Sequence, residues 1–166
     1  MKNAIAEKVK IAVESKVEPA FKKAFDKIII AGLKVMHSPE TRKMTEKQMM
    51  AEGDPIENAA EGVAKLLILL FAESKNTMSM KAGIPAAQVL LLEGMEDMEE
   101  LGLLEVNNQT ISDATEKMMA YILQLLGIDK SKMGEYMKAG SQVAKEGAPN
   151  APNAANAGGG IIQGAQ

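Results

Sequence analysis

The sequence predicts an all-α fold, a helical bundle of six to seven helices followed by a flexible Ala/Asn/Gly-rich C-terminal tail. Three observations carry that expectation. From Ile5 onwards apolar side chains recur at steps of three and four residues, the period of a helix with one buried face. Helix start and stop signals punctuate the chain at Ser38-Pro39, Asp54-Pro55, Gly102 and Gly127. From Gly147 the composition falls to Ala, Asn, Pro and Gly, which cannot build a core. The expected organisation is therefore an α-helical domain over 1–146 and a low-complexity tail with a terminal docking peptide over 147–166.

Taken in order, residues 2–36 place Ile5, Val9, Val13, Val17, Phe21, Phe25, Ile28, Ile29, Leu33 and Met36 on one helical face. Lys2, Lys8, Lys10, Lys16, Lys22, Lys23, Lys27 and Lys34 fall on the opposite face. Pro19 interrupts the run. Either one helix kinks there or two helices meet near Glu18 with Pro19 opening the second. The register continues from Val17 through Phe21 to Phe25, which favours near-collinear helices. Ser38 and Pro39 start a third, mostly polar helix running to about Glu52, with Met44, Met49 and Met50 as its apolar positions. It is either a surface helix or part of a contact face. Gly53 closes it.

Asp54 then caps the stretch DPIENAAEGVAKLLILLFAES, with Pro55 at the first helical position and Glu57 at capping-box spacing. Leu66 to Ala72 is apolar without a break. A helix apolar all round must be enclosed, so this is the expected central buried helix. A loop follows with two methionines that look exposed, Met78 and Met80. Pro85 is expected to start the next helix, over roughly 85–101 and closed by Gly102. LLEVNNQTI then forms a tiny hairpin or a plain turn. Thr110 or Ser112 caps a helix carrying Met118, Met119, Tyr121, Ile122, Leu125 and Leu126, which Gly127 ends. Asp129 caps a last helix to about Lys145, with Met133, Tyr136, Met137 and Val143.

Composition bounds the function. The 166 residues suffice for one domain with a core, at 46% hydrophobic and 25% charged. The net charge of −3 argues against a general nucleic-acid binder. There is no cysteine, which removes disulfides, thiolate metal sites and cysteine nucleophiles. The N-terminal MKNAIAEKVKIAVESK has charges every few residues and lacks the apolar core of a signal peptide. The run from Leu66 to Ala72 is far shorter than the ~20 residues of a membrane helix, so the protein is expected to be soluble when made. Aromatics are only 3% while Met reaches 13 residues. Such a chain makes weak small-molecule pockets. Its methionines either fill the core or form adaptable contact surfaces.

No catalytic, metal-binding or cofactor-binding constellation is found. His37 is the only histidine and reads as a helix-junction residue without an acid–base partner. HExxH, CxxC, Walker A, GxSxG and EF-hand patterns are missing, and Gly158-Gly159-Gly160 lacks the lysine that a phosphate loop needs. Glu93, Glu96, Asp97 and Glu100 lie near one another at helical spacing. With no matching carboxylates from a second helix, they read as a solvated face rather than a metal site. The helix over 85–101 followed by GLLEVNNQTI resembles a recognition helix and wing. Between Ala82 and Glu116, however, there is no Lys or Arg and the net charge is −8, so phosphates would repel it.

Residues 1–50 carry a net charge of +5. A molecule basic at one end and acidic at the other can pack head to tail with copies of itself, closing rings where the rotation permits. The terminal IIQGAQ places two β-branched residues beyond a long tether, as a docking peptide would. Ile161, Ile162, Gln163, Met78 and Met80 are accordingly the candidate partner-binding residues. A tail without function is the alternative.

A small, cysteine-free, Ala/Met/Lys/Glu-rich helical chain with an Asn/Ala/Gly tail ending in IIQGAQ resembles minor virion structural proteins of tailed bacteriophages. These are the neck, portal-associated and internal ejection proteins. The resemblance covers overall style and segment 146–166. It implies many copies on a ring at the portal, serving head completion or genome delivery, with other virion proteins as partners. It also implies synthesis in the host cytoplasm and no sequence-specific nucleic-acid contact. Membrane contact would follow only for an ejection protein, through Ala59–Ala72. The alternative is a small helical adaptor or chaperone that binds a partner through a Met-rich surface.

Overall fold

The computed structural model describes residues 2–127. Six helices make up this body: α1 (Ala4–Ser15), α2 (Pro19–His37), α3 (Arg42–Met49), α4 (Pro55–Glu73), α5 (Met80–Glu100) and α6 (Asn108–Leu125). No strand occurs among the described residues, so the fold is all-α. The helix expected from Asp129 and the tail over 147–166 lie outside the described residues.

Local signals set most helix ends. Asp54 caps α4 by accepting from the Ile56 N–H at 3.0 Å, with Pro55 in the first turn. Gly102, at φ +72°, ends α5 in a Schellman arrangement: Leu103 N–H donates to Met98 O and Gly102 N–H to Glu99 O, each at 2.9 Å. Three starts differ from expectation, the first being that of α3, which opens at Arg42 after Thr41 and not at Ser38-Pro39. α5 begins at Met80, five residues before Pro85, because the Ser79 hydroxyl accepts from the Lys81 N–H and nucleates the turn earlier. Pro85 is carried inside the helix, where it removes its own N–H bond and its ring crowds the carbonyl four residues back. α6 is capped by Asn107, not by Thr110 or Ser112. Thr110 supplies the other half of a reciprocal capping box: Asn107 Oδ1 accepts from Thr110 N–H and Thr110 Oγ1 from Asn107 N–H, both at 3.0 Å. The 101–107 link is an irregular turn that buries Val106.

α1 and α2 are separate helices, and the chain reverses between them rather than running on. Asn3 meets Glu96 and Glu99, while Lys10 meets Glu93, so α1 runs against α5. α2 runs with α5. Lys81 lies over the Phe21 ring, Gly32 faces Leu90, and His37 reaches Asp97. A Cβ on Gly32 would sit 2.4 Å from a Leu90 methyl, so the missing side chain is what lets α2 settle on α5. The Val17–Phe21–Phe25 register survives the reversal because both helices face the same core.

The most enclosed helix is α5, not α4. Leu90, Leu91, Leu92, Met95 and Met98 are fully buried between α1, α2, α4 and α6. α4 packs most extensively on α6 and buries Val63, Leu66, Leu67 and Leu70, yet Leu69 is 43% exposed. The cause is the neighbour on that side: α3 has no buried residue and covers α4 only in part.

Candidate functional site

The partial cover over α4 leaves a groove of about 210 Å³ between α2, α3 and α4, floored by α5. Met36, Met44, Met49 and Met98 line it, with Val63 and Leu66. Glycine at a floor position keeps it open, and glycine at a wall position on α4 lets α3 come close. A Cβ on Gly94 would meet only the Met36 methyl, at 3.4 Å, and one on Gly62 would press on Gln48 Cγ at 2.9 Å. The rim is apolar as well as open: Met44 is 61% exposed, and Lys65 stands beside Leu69. A second, more polar cleft of about 280 Å³ shares Met36, Thr45 and Met49 with the groove and adds His37, Arg42, Glu46 and Asp97.

α3 is held over the groove by peripheral polar contacts. Thr41 Oγ1 donates to Val35 O, Gln48 Nε2 to Asn58 O at 3.3 Å, and Asn58 Nδ2 to Ala51 O at 2.7 Å. Its N-cap residue, Thr41, makes no side-chain capping bond. Methionine is unbranched and polarizable and adapts to irregular apolar surfaces. A cleft walled by four of them can accept an aliphatic segment without a fixed shape.

The residues expected to bind partners fall elsewhere. Met78 is half-buried, its sulfur 3.1 Å from the point where a Gly83 Cβ would stand and beside Leu67, so it plugs the junction of α4 and α5. Met80 is half-buried in the first turn of α5. Neither lines the groove. Ile161, Ile162 and Gln163 lie outside the described residues. The groove methionines are spread over α2, α3 and α5, so no sequence window shows them together. Only the apolar positions of the polar third helix, Met44 and Met49, pointed to a contact face.

The acidic cluster is also not simply a solvated face, and a matching carboxylate does come from a second helix. Glu7 of α1 joins Glu93 and Glu96 of α5, with carboxylate oxygens within 4.8 Å of one another. At their centre stands the Lys10 ammonium, which donates to Glu7 at 2.9 Å, to Glu93 at 2.6 Å and to Glu96. Lys10 was expected on the polar face, but it is only 8% exposed. Burial works against its charge, but the hydrogen bonds to Glu93, Glu96 and Glu7 outweigh that and raise its pKa above the ordinary lysine value. Three carboxylates would suit a hard cation. Here the ammonium takes that place, and its firmly held proton makes it a poor base or nucleophile.

Asn3 completes this latch. Its Oδ1 caps α1 by accepting from the Ile5 and Ala6 N–H groups, while its Nδ2 donates to Glu99 and to Val106 O. Its backbone N–H donates to Glu96 at 2.7 Å. The carboxylates of Glu96 and Glu99 thus sit at the N-terminus of α1, where the helix dipole favours negative charge. His37 ends α2 with Nε2 2.9 Å from Asp97, half-exposed. No helix among the described residues is long and apolar enough to cross a membrane. No protein-family model matches the sequence, and searches of curated proteins and of solved structures return no match.

Proposed function

We propose that the chain is a non-enzymatic component of a larger assembly that holds an aliphatic segment of a protein partner in the methionine groove. The observation that carries this reading is the pairing of an open groove lined by Met36, Met44, Met49 and Met98 with a covering helix that has no fully buried residue. Packed domains leave few such voids, and an apolar cleft with an exposed apolar rim is the usual form of a helix- or strand-binding site. The form of assembly that the tail segment suggests is a phage virion, at the portal or neck or as an internal ejection protein. The adaptor or chaperone reading draws on the same groove and differs in having one partner instead of a ring of copies.

The charge argument for head-to-tail packing weakens, because part of the complementarity is satisfied within the chain. Lys10 of the basic N-terminal half pairs with Glu93 and Glu96 of the acidic segment. The groove is therefore the stronger ground for assembly. The segment Ala59–Ala72, which an ejection protein would offer to a membrane, is mostly packed on α5 and α6.

The test is titration of the full chain with a short Leu/Ile-rich amphipathic peptide, followed by the Met ε-methyl NMR signals. Movement of the Met44, Met49 and Met98 signals, with Met49 and Met98 no longer moving in a Met44→Asp/Leu69→Asp rim variant, is the expected result. A peptide that leaves those signals in place, or binds the rim variant equally well, refutes the groove reading. Light scattering then separates the two forms of assembly: a discrete ring-sized mass favours the virion component, and a monomer at high concentration the adaptor.

A further inference from the structure

We propose that the groove's resident occupant is the chain's own Ile161-Ile162 pair, folded back from the C-terminal segment, so that an outside partner must displace it. This rests on the reading of the groove as a binding site and adds the identity of its first ligand.

Size is the first argument. An apolar cavity of about 150 Å³ is filled by benzene, with six carbons. At that density the eight side-chain carbons of two isoleucines need about 200 Å³, and the groove offers about 210 Å³.

Position is the second. Tyr121 Oη donates to Glu57 at 2.7 Å and Lys117 pairs with the same carboxylate at 3.8 Å, so the last turns of α6 lie beside the first turn of α4. Asn58, Ala59 and Gly62, in the next turns of α4, line the groove. The chain thus leaves α6 beside the end of α4 at which the groove, lined from Asn58 to Leu69, begins. The remaining path is round one helix, whose diameter is about 10–12 Å.

Reach is the third. Counted from Gly127, the last described residue, the stretch over 128–160 can extend to roughly 110 Å, well beyond that path. A tethered segment whose tether spans its site easily is present there at an effective concentration on the order of millimolar. Composition is the fourth. GAPNAPNAANAGGG, residues 147–160, has no aliphatic side chain larger than alanine apart from proline, and then two isoleucines follow together. In 128–145 the apolar residues instead recur at helical intervals, a pattern that calls for a face of its own.

The experiment compares Met ε-methyl signals in the full chain, in Ile161→Asp/Ile162→Asp and in a chain ending at Glu146, each over a dilution series. The proposal expects the Met44, Met49 and Met98 signals to move alike in both altered chains and to be independent of dilution in the full chain. The Met78 signal, away from the groove, should stay. The free amphipathic peptide should also bind the Asp variant on the order of tenfold more tightly than the full chain, the competitor being gone. Identical methyl signals in all three chains overturn the proposal. Dilution-dependent signals with a matching change in mass assign the occupant to a second copy and overturn it too. If the peptide binds while the tail changes have no effect, the groove reading stands and the tail assignment fails. If the peptide binds nowhere, both fail. The substitutions lie outside the six-helix body, and unchanged amide spectra for α1 and α5 verify that it is intact.

Discussion

α1 and α3 are both short helices laid on the outside of the bundle, and they are attached in opposite ways. α1 buries Ala6, Val9 and Val13 and adds a lysine whose charge is met by three carboxylates. α3 buries no residue and is attached through Thr41, Gln48 and the Asn58 side chain. A helix becomes part of the body when its apolar face and its polar contacts are both spent on the same neighbour. Where the apolar contact shrinks to a partly buried residue such as Met49, the helix rides over a space. Stability is then uneven across one small domain, and the weakly held element is the one beside the groove.

The sharpest way to break this contrast is Lys10→Ala. Removing the cation from a buried pair costs about 3–5 kcal/mol, because it leaves the carboxylates facing one another. Urea unfolding should show that loss, and Lys10→Met combined with Glu93→Gln and Glu96→Gln should recover most of it. A loss below about 1 kcal/mol would mean that the latch behaves as an ordinary surface pair.

Asn3→Ala comes next, with an expected loss of about 1–2 kcal/mol for the missing cap. It should release α1 selectively, so α1 amides should exchange faster while α5 and α6 keep their protection. Uniform loss across all helices would show that α1 does not open by itself.

How much of this contrast the chain reveals depends on how local its causes are. Asp54, Pro55 and Glu57 mark the start of α4 because a cap acts over three residues, and Gly102 and Gly127, both at positive φ, mark ends for the same reason. Pro85 misleads because the competing signal, Ser79, is a weaker-looking cap whose effect depends on the next turn. The burial of Lys10 is hidden because its partners Glu93 and Glu96 are more than eighty residues away. By periodicity alone, a lysine on the edge of an apolar stripe reads as solvated. The groove is hidden for a different reason: it is kept open by what Gly94 lacks, and it is lined by four methionines that no single helix brings together.

Acid should sharpen the comparison further. The hydrogen bond from Lys10 holds the Glu7 carboxyl below its ordinary value of 4.5, against a smaller opposing effect of burial. The folded chain therefore binds that proton more weakly than the unfolded chain. The contribution is whole above about pH 4.5 and is lost as pH falls through the depressed value. Glu7 is partly exposed, so the effect should stay below about 1 kcal/mol. It should vanish in Lys10→Ala. Persistence of the same acid slope there would assign it to other carboxylates.

Met44→Ala is expected to do least. Met44 is 61% exposed, and substitutions at such positions stay within about 0.5 kcal/mol. Stability should hardly change while peptide binding in the groove weakens. A large stability loss would show that α3 is as firmly seated as α1.

Asn3 has a consequence for how the molecule comes into being. It bonds to residues 93, 96 and 103 positions further along. On the ribosome, α1 emerges before the other five helices and has no seat until the 101–107 link has followed it out. Contacts between distant parts of a chain must wait for loop closure and slow the search for the native state. Until then Val9 and Val13 face solvent on a helix of 12 residues, too short to be more than marginal without its packing. The first of the six helices to be made is therefore among the last to be secured, and its apolar stripe stays exposed while α2 to α5 are synthesised.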